Sequence, residues 1–131
     1  MFKQEGYALM AVAFDVYNEL GNGFLEEVYQ ECMLLELEKK GMPFISQPEL
    51  NIIYKGVKLN KFYRPDIYVC DGIIVELKAV KVINEEHMAQ LMNYLKATEK
   101  PVGYLINFGS HEKLEWKRII RTEACLTANN H

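Results

Sequence analysis

The segment Ile73–Val80, with the sequence IIVELKAV, decides the fold of this 131-residue chain. Apart from Glu76 and Lys78 it is apolar at both alternating sets of positions, as is typical of a central β-strand covered on both faces. Glu76 and Lys78 are two residues apart, so their side chains point to the same face of the sheet. Burying both charges is costly unless they pair with each other or bind a ligand, and both alternatives are open.

The flanking segments predict helices and further strands in a definite order. Apolar residues at spacings of three and four predict helices over residues 4–20, 24–40 and 84–98. Predicted strands cover residues 45–54, 57–63, 64–70, 73–80 and 102–108, and residues 114–120 fit one more. This order predicts an α/β fold in a single domain over residues 1–131, with a central mixed β-sheet flanked by helices.

The charge of the chain is unevenly distributed. The net charge is −3, which argues against a protein that coats nucleic acid through charge alone. Residues 1–50 carry three lysines against nine acids, a net charge of −6, whereas residues 51–131 have a net charge of +3. The basic half contains two runs that are either phosphate-binding or simply solvated: Lys55, Lys58, Lys61 and Arg64, and Lys113, Lys117, Arg118 and Arg121.

The three cysteines, Cys32, Cys70 and Cys125, are far apart and form no CxxC pair. This spacing predicts neither a disulfide framework nor a zinc site, so we expect reduced thiols and a cytoplasmic location. No apolar run approaches the roughly 20 residues that span a bilayer, and residues 1–13 do not resemble a signal peptide. We therefore expect no membrane partner.

Asp66 lies at the start of the strand that is predicted just before the central strand. A two-residue turn at Asp71-Gly72 would pair Asp66 with Leu77, on the wrong face. A three-residue turn over residues 70–72, with Gly72 in the left-handed conformation, would pair Asp66 with Glu76 and point both carboxylates the same way. The alternative is an ordinary acid between a loop and a strand.

Glu26 lies near the start of the second predicted helix, in an otherwise mostly apolar row formed by Tyr29, Met33 and Leu37. This placement favours a functional carboxylate, although an acid that only favours the helix dipole is the alternative. Together with Asp66, Glu76 and Lys78, Glu26 provides the groups that a Mg²⁺-dependent phosphodiesterase requires. Carboxylates bind Mg²⁺ or Mn²⁺, and a lysine positions the attacking water or stabilises the developing charge.

The third predicted helix carries a polar stripe formed by His87, Gln90 and Tyr94. Gln90 and Tyr94 are candidates to contact a phosphate or a base edge, and His87 is either a further substrate contact or a surface histidine. No second His or Cys at ligand spacing marks His87 as a metal ligand.

These motifs resemble a known superfamily. Pro65-Asp66 followed by Glu76-Leu77-Lys78 resembles the signature of the PD-(D/E)xK nucleases, and Gln90-Leu91-Met92-Asn93-Tyr94 resembles the Q-x-x-x-Y helix motif of the exonuclease-related branch. Within that superfamily, Gly23-Phe24-Leu25-Glu26-Glu27-Val28-Tyr29 resembles the GxxExxY family. So do Tyr54-Lys55-Gly56-Val57 and Ile106-Asn107-Phe108-Gly109. The resemblance covers about residues 5–121.

The resemblance implies a mainly prokaryotic nuclease with a restriction-endonuclease-like core. It implies that Glu26, Asp66, Glu76 and the Leu77 carbonyl bind Mg²⁺ or Mn²⁺, and that Lys78 assists water attack on a phosphodiester. Substrate-binding residues would be Gln90, Tyr94, Tyr29 and His87. We expect a nucleic-acid substrate, with DNA favoured over RNA, and a homodimer is an open expectation. The alternatives are a nuclease-fold module that binds nucleic acid or a protein without turnover, and a structural domain with a buried ion-pair network.

Overall fold

The structure is a computed structural model that describes residues 1–121. The helices in this range are α1 (Lys3–Leu20), α2 (Glu26–Lys39) and α3 (Glu85–Thr98). The strands are β1 (Phe44–Ser46), β2 (Leu50–Tyr54), β3 (Val57–Tyr63), β4 (Ile67–Val69), β5 (Ile73–Lys78), β6 (Val102–Asn107) and β7 (Glu115–Ile120). None of these helices is both long and apolar enough to cross a bilayer. Cys125 lies outside the described residues.

Five strands form a mixed sheet in the order β1-β4-β5-β6-β7. β5 and β6 are parallel and are connected through α3, whereas the other neighbours are antiparallel. β2 and β3 form a separate two-stranded hairpin. The predicted central mixed sheet with flanking helices is therefore confirmed.

Alternate residues of β5 face different helices, which makes it the central strand. Ile73, Val75 and Leu77 pack in the cluster formed with α1 and α2. Ile74 packs on the other face, in the cluster that contains Leu91 of α3. Burial on both faces explains the nearly continuous apolar sequence.

The single strand predicted over residues 45–54 is wrong, because the chain breaks between β1 and β2. Gln47 adopts a positive φ of 49°, and Pro48 has no N–H to donate to a neighbouring strand. The predicted strand 64–70 is also shorter, since β4 begins only at Ile67.

The connection from β4 to β5 has the three-residue length that a functional Asp66 requires. Val69 lies opposite Ile73, so residues 70–72 form the turn. The prediction of a left-handed Gly72 is wrong, since Cys70 and Asp71 have the positive φ, 53° each. Gly72 is needed for space instead, because a Cβ there would lie 2.0 Å from the Phe2 ring.

A buried asparagine ties the end of β5 to β6 and β7. The Asn107 Oδ1 accepts hydrogen bonds from the backbone N–H groups of Val80 and Gly109, both at 3.0 Å. Its Nδ2 donates to Glu115 at 2.9 Å. The side chain is fully buried, and these bonds satisfy its polar atoms.

Gly109 packs against this same connection, and we predict that Gly109→Ala destabilises the fold. A Cβ at residue 109 would lie 2.4 Å from the Val80 carbonyl oxygen, so backbone atoms would have to move. The expected loss is about 1–3 kcal/mol, the usual cost of overpacking. Urea denaturation measures it, with the neighbouring Ser110→Ala as control. An unchanged midpoint for Gly109→Ala would contradict the close packing.

Candidate active site

Asp66, just before the start of β4, faces Glu76 of β5. The register pairs Ile67 with Val75, so one step further places Asp66 opposite Glu76. The Asp66 N–H donates to Glu76 Oε1 at 3.4 Å, and Asp66 Oδ2 accepts from the Leu77 N–H at 2.7 Å. The two carboxylates are thus brought together.

Pro65 ends the β4–β5 ladder beside these carboxylates. In this register Pro65 lies opposite Leu77 and has no N–H to give to the Leu77 carbonyl. The Lys78 carbonyl accepts from Phe108 N–H on the β6 side, so the preceding Leu77 carbonyl points to the other side, toward Asp66. This orientation makes the Leu77 carbonyl available as an oxygen ligand.

Tyr63, which the sequence analysis did not single out, contacts Glu76 directly. Its hydroxyl donates a hydrogen bond to Glu76 Oε2. Its ring stacks on Tyr94 of α3, with centroids 3.8 Å apart and planes 6° from parallel. Tyr94 therefore positions Tyr63, and Tyr63 positions Glu76. A tyrosine just before Arg64-Pro65-Asp66 was the available signal, but its partner depends on the fold.

The pKa of Glu76 is raised to about 7. Burial is the main cause, because it disfavours the charged carboxylate, and the adjacent Asp66 adds to it. The hydrogen bond from Tyr63 opposes this shift. The pKa of Tyr63 is raised as well, by burial and by the Glu76 charge. A cation bound here would relieve the repulsion between the two carboxylates.

Glu26 reaches the same end of the sheet from the first turn of α2. Its Oε2 accepts from the Ala79 N–H at 3.2 Å. Glu26, Asp66 and Leu77 line one cavity of about 430 Å³. The predicted row Tyr29, Met33 and Leu37 is fully buried, so this face of α2 packs against the sheet.

These acids do not form a preassembled three-ligand site. Within residues 1–121, no three His, Cys, Asp or Glu side chains are grouped so that they could hold a metal ion. Asp66, Glu76 and the Leu77 carbonyl do fit a hard cation that keeps several waters, because they offer adjacent oxygen donors. Glu26 lines the same cavity, where its Oε2 accepts from the Ala79 N–H.

Gln30 supports Asp66 from α2 and was also missed from the sequence. Its Nε2 donates to the Asp66 carbonyl at 2.8 Å and to Ser46 Oγ at 3.3 Å. Its Oε1 is buried and has no hydrogen-bond partner among the described residues. Gln30 follows Glu26 by one helical turn, so both face the cavity.

Lys78 shares its face of β5 with Glu76, as predicted from strand geometry. The side chain is partly exposed, at the last position of the strand. Within the described part of the chain, its ammonium makes no ion pair shorter than 4.0 Å. The charge is therefore available to a substrate.

The predicted substrate-binding residues have different surroundings. Gln90 is exposed and lines a shallow pocket with His87. His87 and Asn84 cap α3. The His87 Nδ1 accepts from the Asn84 backbone N–H at 3.1 Å, and the His87 backbone N–H donates to Asn84 Oδ1 at 2.9 Å. Tyr94 is occupied in the stack with Tyr63.

Tyr29 is fully buried, and this placement does not support substrate contact. Its ring stacks on Phe108 at 4.4 Å. Its hydroxyl donates to the Gly21 carbonyl at 2.5 Å and accepts from Phe24 N–H at 3.2 Å. Tyr29 therefore fixes the loop before α2, which sets the position of Glu26.

Comparison with known proteins shows the family of the chain. A family model of the PD-(D/E)XK nuclease superfamily matches residues 3–119. The chain belongs to this superfamily. Comparison with curated proteins finds no match.

Two solved structures are similar to this chain in fold. An alkaline exonuclease (LHK-Exo) from Laribacter hongkongensis superposes with a TM-score of 0.54 at 13% identity, over 79% of this chain and 60% of that one. The protein SSO0001 superposes with a TM-score of 0.56 at 17% identity, over 78% of this chain and 54% of that one. The present chain thus spans little more than half the length of each.

The raised pKa of Glu76 predicts how the stability of the metal-free protein depends on pH. Since the folded-state pKa lies above the unfolded value, the protonated form stabilises the fold below about pH 4.5, and this contribution is lost as pH rises through about 7. Glu76→Gln should remove this loss. Chemical denaturation in EDTA between these pH values measures it, with Glu27→Gln as the exposed control. Parallel pH profiles for wild type and Glu76→Gln would contradict the assignment.

Proposed function

We propose that this chain is a Mg²⁺- or Mn²⁺-dependent nuclease that hydrolyses phosphodiester bonds, with DNA favoured over RNA. The observation that carries the proposal is the pairing of Asp66 and Glu76 across the β4–β5 register, with Lys78 on the same face as Glu76. Membership of the superfamily supports the reaction class. The likeness to the exonuclease is one of fold.

In this proposal Asp66, Glu76 and the Leu77 carbonyl would hold the cation, and Glu26 would face it from the first turn of α2. When bound, the cation lowers the pKa of a water and neutralises charge on the phosphoryl oxygens. Lys78 orients the attacking water. As the oxygen of this water bonds to phosphorus and the P–O bond to the leaving oxygen breaks, Lys78 stabilises the negative charge that develops. The attacking water releases its proton to solvent, and the leaving oxygen takes up one proton from solvent.

The other residues position substrate and ligands. Gln90 is exposed and suited to a phosphate or base edge. Tyr94 acts through Tyr63 on Glu76, and His87 acts through the start of α3. We propose that the other ring nitrogen of His87, Nε2, contacts the substrate directly.

We also infer that the chain belongs to the GxxExxY branch. Three residues of that motif have separate structural roles: Gly23 has a φ of 113°, Glu26 faces the cavity, and Tyr29 anchors the loop. A cytoplasmic location fits Cys32 and Cys70, which are free thiols. A single domain and a homodimer remain part of this proposal.

A binding module without turnover is the second candidate. One observation favours it: Glu26 is hydrogen-bonded to Ala79, so three acids are not preassembled in the described residues. Binding of nucleic acid without cleavage under every metal condition would support this candidate.

Cleavage of labelled DNA and RNA with Mg²⁺, Mn²⁺ or EDTA tests the proposal. We predict that Lys78→Ala and Glu76→Ala each lower the rate by roughly 100-fold or more, as expected for groups that stabilise transition-state charge. Lys81→Ala, an exposed lysine just beyond β5, should leave the rate unchanged. Cleavage that persists in Lys78→Ala, or in EDTA, would indicate a contaminating nuclease.

Tyr63→Phe tests the positioning role of the tyrosine. Loss of its hydroxyl removes the hydrogen bond that holds down the pKa of Glu76, so that pKa should rise further. We expect the acid limb of the pH–rate profile to move to higher pH, with activity recovering at alkaline pH. Tyr7→Phe, at an exposed tyrosine of α1, is the control. A uniform loss at every pH would instead indicate a purely structural role for the hydroxyl.

A further inference from the structure

The β2–β3 hairpin, residues 50–64, is a sheet of its own that packs on α3 through β2, and it is named here the basic arm. Six of the seven residues of β3 are exposed, and only Tyr63 at its base is buried. Lys55 and Gly56 form its tip, with φ values of 49° and 78°, which is typical of a tight two-residue hairpin turn. Packing of the core does not explain why β3 is so exposed.

The charge of the basic arm is of one sign. Residues 50–64 contain three lysines and one arginine and no acid. Arg64 pairs with Glu49 at 2.7 Å. Lys55, Lys58 and Lys61 make no ion pair within the described residues, so their charges face solvent. Such a surface suits a polyanion.

An exposed aromatic ring lies beside a cation on each face of the arm. Tyr54 is 59% and Phe62 46% exposed. The Lys55 ammonium lies 5.4 Å from the Tyr54 ring centroid, and the Arg64 guanidinium lies 5.4 Å from that of Phe62. Exposed rings beside cations combine base stacking with phosphate attraction, as in surfaces that bind single strands.

The basic arm leads directly into the candidate site. β3 ends at Tyr63, which contacts Glu76, and Asp66 follows three residues later. From Tyr63 to Val57 the strand extends about 20 Å, at roughly 3.3 Å per residue. That distance equals about six stacked nucleotides at ~3.4 Å each. A nucleic-acid strand held at Glu76 can therefore reach the tip of the basic arm.

We propose that the basic arm binds the single-stranded part of a nucleic-acid substrate beside the cleaved bond. The phosphates lie on Lys61 and, at the tip, on Lys55, and an unpaired base stacks on Tyr54, which shares with Lys61 and Tyr63 the face of the hairpin that leads to Glu76. This assignment of a substrate class rests on the proposed nuclease function. A two-stranded β-ribbon also fits the major groove of a duplex, but stacking on a ring face requires unpaired bases.

Fluorescence anisotropy in EDTA separates binding from cleavage. The probes are a labelled DNA single strand and a duplex, each about 20 nucleotides long and above the site size of one small binding surface. Lys55→Gln/Lys61→Gln should raise the Kd for the single strand roughly 5- to 10-fold and flatten the slope of log K against log salt by about 1.4, from two lost phosphate contacts. The matched control is Lys113→Gln/Lys117→Gln, which removes the same charge from the other basic run.

The aromatic contribution is tested with Tyr54→Leu, with Tyr7→Leu as a control because Tyr7 is 80% exposed on α1. Tyr54→Leu should raise the single-strand Kd roughly 10-fold, the loss of one stacked base, and should leave duplex binding unchanged. Equal losses on duplex and single strand would overturn the single-strand assignment.

The proposal also fails if the wild type binds no single strand, or if the two double-lysine variants weaken binding equally. Failure of the nuclease function is distinguishable from these results. In that case no variant or metal produces cleavage, while the arm variants still bind the single strand more weakly than their controls.

Discussion

The antiparallel register between β4 and β5 is the constraint on which the candidate site depends. Side chains alternate between faces, so a slip of one residue would point Asp66 away from Glu76. The three-residue turn over residues 70–72 fixes this register. The Phe2 ring packs against Gly72, so the segment before α1 supports the turn from outside the sheet. Core packing and site geometry are therefore set by one connection.

The same register makes the site costly to the fold. It holds two carboxylates together at a partly buried edge, and the raised pKa of Glu76 reflects that cost. The Leu77 N–H and the Tyr63 hydroxyl offset part of it by donating to the two side chains. The apolar residues of β5 on both faces provide the burial that tolerates such an arrangement.

Strand alternation and helical spacing predicted much of this structure, since both follow from local geometry. Glu76 and Lys78 share a face as predicted, and the turn has the length that pairs Asp66 with Glu76. The left-handed position was predicted wrongly, because the role of Gly72 depends on a ring that is distant in sequence. Tyr63 and Gln30 were missed for the same reason, since their partners lie 13 and 36 residues away.

Opposite charges on the two sides of the site constrain how a substrate approaches. The cavity beside Asp66 is lined by acids, Glu26, Glu27 and Glu31 among them, and would repel a phosphodiester. The exposed cations of the basic arm would attract the same chain of phosphates. A bound divalent cation would reverse the local sign only where the carboxylates meet. A phosphate strand could then lie along the arm and enter the acidic cavity at that one point, which confines the reacting phosphate to the end of β5.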